Sequence, residues 1–449
     1  MITLIKNKKT LEVLLASFYT ILFILLILKI KSFQIDGLHK LCIPGIFIIK
    51  VLFGILIFLV YTHYYSDRST ADIFKYFDDG KILYNIFYES PLHFIQLMLG
   101  LHDNTGIYHE YLERMSFWYK PYDTSIYNGN RIIIRFNALF MFLSFGYYQV
   151  HNIVMNFISI IGLTFLYKGI NFVLPNRKIL TFIAVFLIPS ILFWGSGVLK
   201  EGIILFSLGV TLFNLFHILH QGFSIKRIGI TIVAFSLLLL TKVYVGICLL
   251  PSILAYAWIT QSNRNYPLLK YIAVYILFLI ISLGLQKYTP NRSPLDFISN
   301  RQVEFTRHVI TLKSGSIIEL PSIEPNLISI LTNIPEAIAI TTLRPYPLES
   351  TNIFHILCSI ENYTLIIVLL IVLFYYKRKD VNFNLLLFCL SFGLSLYALI
   401  GLTTPVIGSI VRYKVPGLLF ISIGIITLTN KDLNLFKHIQ LIHKNKSKR

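Results

Sequence analysis

CIPGIFIIKVLFGILIFLVYTHYYSDRSTADIFKYFDDG, residues 42–80, joins the two kinds of segment from which the whole chain is made. Its first half, Cys42 to Tyr61, is apolar apart from Lys50 and, as a helix, is long enough to cross the ~30 Å of a bilayer's hydrocarbon. It ends on an aromatic belt, Tyr61, Tyr64 and Tyr65, of the kind that settles at a membrane interface. The second half is polar and carries Asp72, Asp78 and Asp79. Ser69 reads as a helix cap, with Asp72 at the third helical position closing a capping box. A helix begun there places Asp72, Lys75, Tyr76 and Asp79 on one face, at spacings of three, four and seven, and turns Asp78 away. Acids grouped this way beside a membrane entrance are candidate catalytic residues, Asp72 first and then Asp79 and Asp78, with Lys75 and Tyr76 beside them for substrate. The plain alternative is one capping acid and two solvated ones.

Outward from this stretch, composition decides the class. Of 449 residues, 55% are hydrophobic and only 14% charged, and the mean hydropathy is +0.70. That excludes a water-soluble domain. The chain reads as an all-α polytopic helical membrane protein with about 11–12 transmembrane helices, plus interfacial or re-entrant helices in an outer-face loop. The net charge of +19 sits in short basic runs between apolar spans, the pattern of topology signals and of contact with anionic membrane lipids rather than of a nucleic-acid partner. Cys42, Cys248, Cys358 and Cys389 lie in or beside apolar spans without a CxxC pair, so neither a disulfide framework nor a zinc site is expected. Richness in Ile, Lys, Asn, Phe and Tyr points to a bacterial, AT-rich source.

The whole chain, 1–449, reads as one integral-membrane domain. Two N-terminal spans fill 11–62, the first behind Lys6, Lys8 and Lys9 in the manner of an uncleaved signal-anchor. An acidic and aromatic insertion fills 63–150: from His63 to Asn130 it holds nine Asp or Glu against five Lys or Arg, and sixteen aromatics. Few cations place it away from the cytoplasm, and its aromatics suit interfacial helices such as Tyr84 to Leu101. Arg131 to Gly146 is too short for a comfortable crossing and reads as interfacial or re-entrant. Central spans fill 151–285, with a break at Gly195-Ser196-Gly197, and a second outer loop with seven prolines fills 286–360. Three C-terminal spans fill 361–429, and a basic cytoplasmic tail fills 430–449.

Counting back from that tail puts Lys377 to Lys379, Arg264, Lys226-Arg227 and Arg177-Lys178 on the cytoplasmic side. Gly195 to Gly202, the 287–359 loop and Thr403 to Arg412 fall outside. If 131–146 does not cross, the acidic insertion is outside and Lys6 to Lys9 are too, against the charge bias. If it crosses, Asp72 is cytoplasmic. The outside placement is favoured because the other large polar segments gather there.

Three further constellations bear on chemistry. PSILFWGSGVLKEG, Pro189 to Gly202, breaks at glycine and restarts as a helix bearing Lys200 and Glu201, a plausible phosphate cradle by dipole and charge. TTLRPYPLES, Thr341 to Ser350, holds Arg344 extended ahead of a proline, suited to bidentate contact with phosphate, with Glu349 and then Glu361 close behind. Arg412-Tyr413-Lys414 offers cations on the same side for a lipid-linked phosphate. For each, interfacial anchoring or a purely structural pairing is the plain alternative. The histidines are scattered, so any metal would be a divalent cation, Mg or Mn, held through oxygen by Asp72 or Asp79.

With its acidic outer loop and interfacial helices, the chain resembles the GT-C superfamily of integral-membrane glycosyltransferases. The phrases ADIFKYFDDG, PSILFWGSGVLKEG, TLRPYPLES and RYKVPG also resemble those of bacterial envelope-polysaccharide membrane proteins. The resemblance implies a sugar donor on polyprenyl phosphate and a glycan or lipid acceptor, with an acidic residue as base or metal ligand on the outer face of the bacterial cytoplasmic membrane. Asp72 would take the carboxylate role, and Lys200, Arg344 and Arg412 the phosphate role. Two departures stand out: an extra span precedes the acidic loop, and no soluble acceptor-binding domain follows the last span. A polymerase or ligase, a structural subunit of an envelope machine and a lipid-linked sugar flippase are the other readings.

Overall fold

A computed structural model describes residues 2–65, 67–68, 70–101, 105–119, 128–263, 265–288, 293–349 and 352–430, with side chains from residue 10 onward. Ser69, Arg264, Ser350 and the tail from Lys431 therefore lie outside the described residues. The described chain is helical throughout, its extended pairing limited to a bridge between Ile317 and Val406. It divides into two compact units, 1–168 with 191–215 and 224–246, and 169–190 with 216–223 and 247–449.

The first unit opens with α1 (Ile2–Lys29) and α2 (Cys42–Leu59). The insertion follows as α3 (Asp72–Glu89), α4 (Pro91–Leu99), α5 (Gly106–Glu113) and α6 (Asn130–Ser144). In chain order there follow α7 (Tyr148–Val173), α8 (Lys178–Phe186), α9 (Pro189–Trp194), α10 (Lys200–Gln221) and α11 (Ile225–Thr241), of which α8 belongs to the second unit and the division falls within α7, α9 and α10. The second unit continues with α12 (Val243–Gln261), α13 (Pro267–Tyr288), α14 (Pro294–Thr311), α15 (Leu327–Leu343) and α16 (Ile353–Tyr375). It closes with α17 (Phe383–Thr403), α18 (Ile407–Tyr413) and α19 (Val415–Leu428).

Among the described residues eight helices are long and apolar enough to span a bilayer, or nine if the bent pair α18 and α19 is one span. The polytopic helical class holds. The expected spans at 180–194 and 228–240 are not among these eight: the first is broken into α8 and α9, and the second is the 17-residue α11, whose end returns to the start of α10 through the Glu201–Lys242 pair.

Side-chain contacts order the first unit. Phe58 of α2 meets Tyr148 of α7 (ring centroids 4.9 Å), while Phe47 meets Phe157 (6.3 Å), so α2 and α7 run antiparallel. Glu12 of α1 accepts the N–H of Gln149 (3.1 Å), and Phe23 stacks on Phe157 (4.2 Å), so α1 runs parallel to α7. A Cβ on Gly202 would lie 3.5 Å from Met155 O, and one on Gly209 only 1.8 Å from Gly162 O, so α10 also runs parallel to α7. The end of α2 and the starts of α1, α7 and α10 therefore share one face, hereafter the site face. That α2 ends and α7 begins there agrees with the reading of 131–146 as interfacial or re-entrant, and α6, with 15 residues, is not among the helices long enough to span. The start of α1 falls on the same face as the start of α7.

Gly162 and Gly209 let α7 and α10 touch backbone to backbone, the small-residue packing that membrane helices use where no hydrophobic drive separates them from lipid. Gly209→Ala is expected to cost about 1–3 kcal/mol by overpacking, read as a lower unfolding temperature in detergent. An unchanged temperature would show that the two helices slide apart freely.

In the second unit α17 is central, lined by α13, α14, α15, α18 and α19. An added Cβ on Gly401 would meet Ala337 O at 2.0 Å, which brings α15 and α17 into backbone contact. Phe388, Phe392 and Phe420 form an edge-to-face aromatic core there, joined by Phe216 and Tyr256. The second outer loop expected at 286–360 is instead largely helical. Pro294 starts α14 behind a Ser293–Asp296 capping box, and α15 tolerates Pro335 inside it. A proline at a helix start and a proline in a loop look alike in a sequence, since neither position needs the backbone N–H.

Candidate functional site

The face-sharing read along 72–79 is realised in α3. Tyr76 and Asp79 are buried toward the segment that follows α5, and Asp78 turns the other way to an exposed ion pair with Arg68 (2.7 Å). The cap register differs from expectation. α3 starts at Asp72 with Ala71 at the N-cap, where no side-chain cap bond forms; ahead of it the Thr70 and Ala71 N–H groups donate to Asp67 O and Arg68 O. Asp72 is thus the first helical residue, half-buried, where negative charge suits the helix dipole.

Asp79 is 1% exposed. Its two oxygens accept the backbone N–H groups of Ser116 (2.8 Å) and Phe117 (2.7 Å). Loss of water pushes its carboxyl up from 3.8 to about 6, against the pull of those two N–H bonds. This geometry anchors the 116–118 segment to α3. Replacing Asp79 by Ala leaves two buried N–H groups without their acceptor and is expected to cost about 3 kcal/mol, seen in thermal unfolding. Because the folded carboxyl titrates above the unfolded one, it adds stability below pH 3.8 that is lost as pH rises to about 6. In Asp79→Asn that slope should vanish; a wild-type slope retained in the variant would place the titration elsewhere.

Around the anchored segment four elements meet. Lys200, at the start of α10, donates to Asn130 Oδ1 (2.8 Å) and lies 5.8 Å from the centre of the Tyr76 ring. Tyr76 Oη donates to the same Asn130 oxygen at 3.4 Å, and Asn130 Nδ2 donates to Phe117 O (3.4 Å). Lys75 stands 4.4 Å over the Phe117 ring. Arg131 donates to Trp118 O (3.2 Å) and, like Arg135, faces the Trp118 ring. The start of α10 follows Gly197, whose φ of +79° favours glycine. The break before it is held by Lys50 of α2, fully buried, which donates to Gly195 O (2.7 Å) and Ser196 Oγ (3.2 Å). Glu201 points inward to an ion pair with Lys242 at the end of α11 (3.0 Å), both buried. The expected cradle at 195–202 therefore divides into Lys200 on the site and Glu201 in the interior.

The remaining expected residues lie in the second unit. Arg344, at the C-cap of α15, pairs with Glu349 (3.2 Å) rather than standing alone, and Glu349 also accepts the Tyr346 N–H (2.9 Å). Glu361 lies inside α16 rather than after a loop and accepts the Ser190 N–H (2.7 Å). Arg412 is buried, and Tyr413 meets the Phe305 ring at 6.5 Å. Lys414, also buried, donates to Thr341 O (3.0 Å) and Asn362 Oδ1 (2.9 Å).

Sequence reading missed Asn130, Lys242 and the structural work of Lys50. The two lysines carried a signal, since ionisable groups within spans default to function or to a specific partner; Asn130 carried none.

Among the described residues no three His, Cys, Asp or Glu side chains gather as a metal would require. Asp79 has both oxygens on backbone N–H groups, an arrangement that does not suit a cation. No family model matches the chain, and neither a curated protein nor a solved structure matches it.

Proposed function

We propose that this protein is a membrane glycosyltransferase that moves a sugar from a polyprenyl-phosphate-linked donor to an envelope glycan or lipid acceptor, on the outer face of a bacterial cytoplasmic membrane. The observation that carries the reading is the meeting of Lys200, Asn130, Tyr76 and Lys75 on the site face, on the same α3 face as Asp72. A cation at a helix start, supported by an amide and a phenol, suits a phosphate leaving group whose charge grows in the transition state. Asp72, two helical turns or about 10 Å from Asp79 along α3, takes the acceptor hydroxyl's proton as that oxygen attacks the anomeric carbon. The bond to the donor phosphate breaks, and Lys200 holds the departing oxygen. Asp79 acts as a positioning residue through the 116–118 segment.

A structural subunit of an envelope machine is the second reading. It is favoured by one observation: Asp78 and Asp79 are both taken up by internal contacts. Mass spectrometry of lipid extracts from a deletion strain separates the two. Transferase loss should leave one polyprenyl-linked sugar intermediate in excess, whereas loss of a scaffold should deplete finished glycan with no single precursor enriched.

A further inference from the structure

Resting on the reading of Lys200 as the group that holds the donor phosphate, we propose that an anion at Lys200 and a proton on Asp79 bind as a linked pair, each tightening the other, through the 116–118 segment and Asn130. That segment has two edges. On one, the N–H groups of Ser116 and Phe117 donate to the two oxygens of Asp79. On the other, Phe117 O accepts Asn128 Nδ2 (3.1 Å) and Asn130 Nδ2 (3.4 Å), and Trp118 O accepts Asn128 Nδ2 (2.8 Å) and Arg131 Nε (3.2 Å). Asn130 Oδ1 in turn accepts the Lys200 ammonium at 2.8 Å. An ammonium has only hydrogens to offer, so the orientation of this amide is fixed, oxygen to Lys200 and nitrogen to the segment. A second path runs beside the first, because the Asn130 N–H donates to Asn128 Oδ1 (3.1 Å). Along both paths every donor points the same way, from the cation toward the carboxylate.

Bonds aligned head to tail polarise one another, and a full negative charge at one end strengthens each of them, the last being Lys200 to Asn130. Asp79 and Asn130 are both buried, so water screens the line little. Neutralising Asp79 weakens every bond along it and leaves the ammonium less tightly held by Asn130. It also removes a negative charge that repels an incoming anion. Both effects have the same sign, and by reciprocity an anion on Lys200 favours the proton on Asp79. Loss of water has already pushed that carboxyl up to about 6, so the linkage acts close to neutral pH: the anion binds more tightly below this value and less tightly above it. The other charged or titratable groups around Asp79 are Lys75 and Asp78 on α3, Arg131 and Arg135 of α6 on the Trp118 ring, and His93 of α4 on Tyr111 Oη. α5 and its end bring the exposed pairs His109 with Glu113 and Arg114 with Glu89.

The test uses the full chain in detergent and farnesyl methyl phosphate, a diester whose single charge does not titrate in the range used, with binding followed by isothermal titration calorimetry. Affinity should be about tenfold higher at about pH 5 than at about pH 8, near the lower end of the usual coupling between sites. Asp79→Asn keeps one acceptor and one donor, as the neutral acid does, so its affinity should stay at the acid wild-type level at both pH values. Asp78→Asn should keep the wild-type dependence. Equal wild-type affinity at both pH values overturns the linkage without recourse to any variant, and a wild-type dependence retained in Asp79→Asn overturns it as well. Dimethyl phosphate, which lacks the tail, should show the same ratio at lower affinity; a ratio confined to the farnesyl diester would place the effect in the tail and overturn the proposal. Binding that depends on Lys200 but not on pH would sink the linkage alone. Binding undiminished in Lys200→Gln, or absent for both diesters, would sink the reading of Lys200 as the phosphate-holding group and the linkage with it.

Discussion

Asp72→Asn is expected to lower sugar transfer by about 10²–10⁴-fold, the loss that follows removal of a general base, while the protein inserts and accumulates as the wild type does. The substitution keeps the shape of the side chain and removes its charge and basicity. Asp72 is the first residue of α3, with Ala71 rather than Asp72 in the cap position, so a folding defect through lost capping is not expected. The measurement is surface glycan and its lipid-linked precursor in a strain carrying only the variant, with membrane level checked by immunoblot. Wild-type glycan from a normally accumulating Asp72→Asn protein would remove the catalytic assignment and leave the structural-subunit reading. Asp78→Asn is the internal control: its carboxylate is in an exposed pair with Arg68, and loss of such a pair costs about 0–1 kcal/mol.

The second large effect is on stability. Glu201→Ala should cost about 3–5 kcal/mol, because it strands the Lys242 ammonium in a buried site after its partner at 3.0 Å is gone. Lys242→Ala should do the same in reverse. The double replacement Glu201→Leu with Lys242→Met, which leaves no charge to desolvate, should recover most of the loss, since a buried ion pair is commonly no better than apolar side chains of similar volume. Unfolding temperatures in detergent for the four proteins close the cycle. If the two single changes cost no more than the double one, the pair does not act as a unit in the membrane protein.

These outcomes bear on different parts of the unit that holds α3. Asp72 and Lys200 are assigned to chemistry at the site face, whereas Glu201, one residue along α10, belongs to the interior. The helix itself makes that division: consecutive residues point about 100° apart, so one of two adjacent charges faces the site and the other faces the core. The sequence reading placed both in one phosphate cradle because adjacency in the chain says nothing about direction around an axis whose orientation is not yet known.

Lys50 shows the same limit. In the sequence it is a lone cation in an apolar run, a signal that something polar must meet it. That the partners are Gly195 O and Ser196 Oγ, nearly 150 residues on, was legible only once α2 and the glycine break were side by side. Likewise Asp79 was legible as a member of the α3 face, but its engagement by Ser116 and Phe117 depends on how the chain returns after α5.

By itself the sequence determined the class of molecule and the position of the acidic helix. Hydropathy sets which segments leave water, and a helical period of 3.6 sets which of Asp72, Lys75, Tyr76, Asp78 and Asp79 share a face; both are local properties of the chain. Tertiary structure alone decided that α2 ends where α7 begins, that Asn130 brings Lys200 and Tyr76 to one point, and that Glu201 pairs with Lys242. Each of these depends on contacts between residues far apart in the chain, and local hydropathy and helical period do not say which distant segments meet.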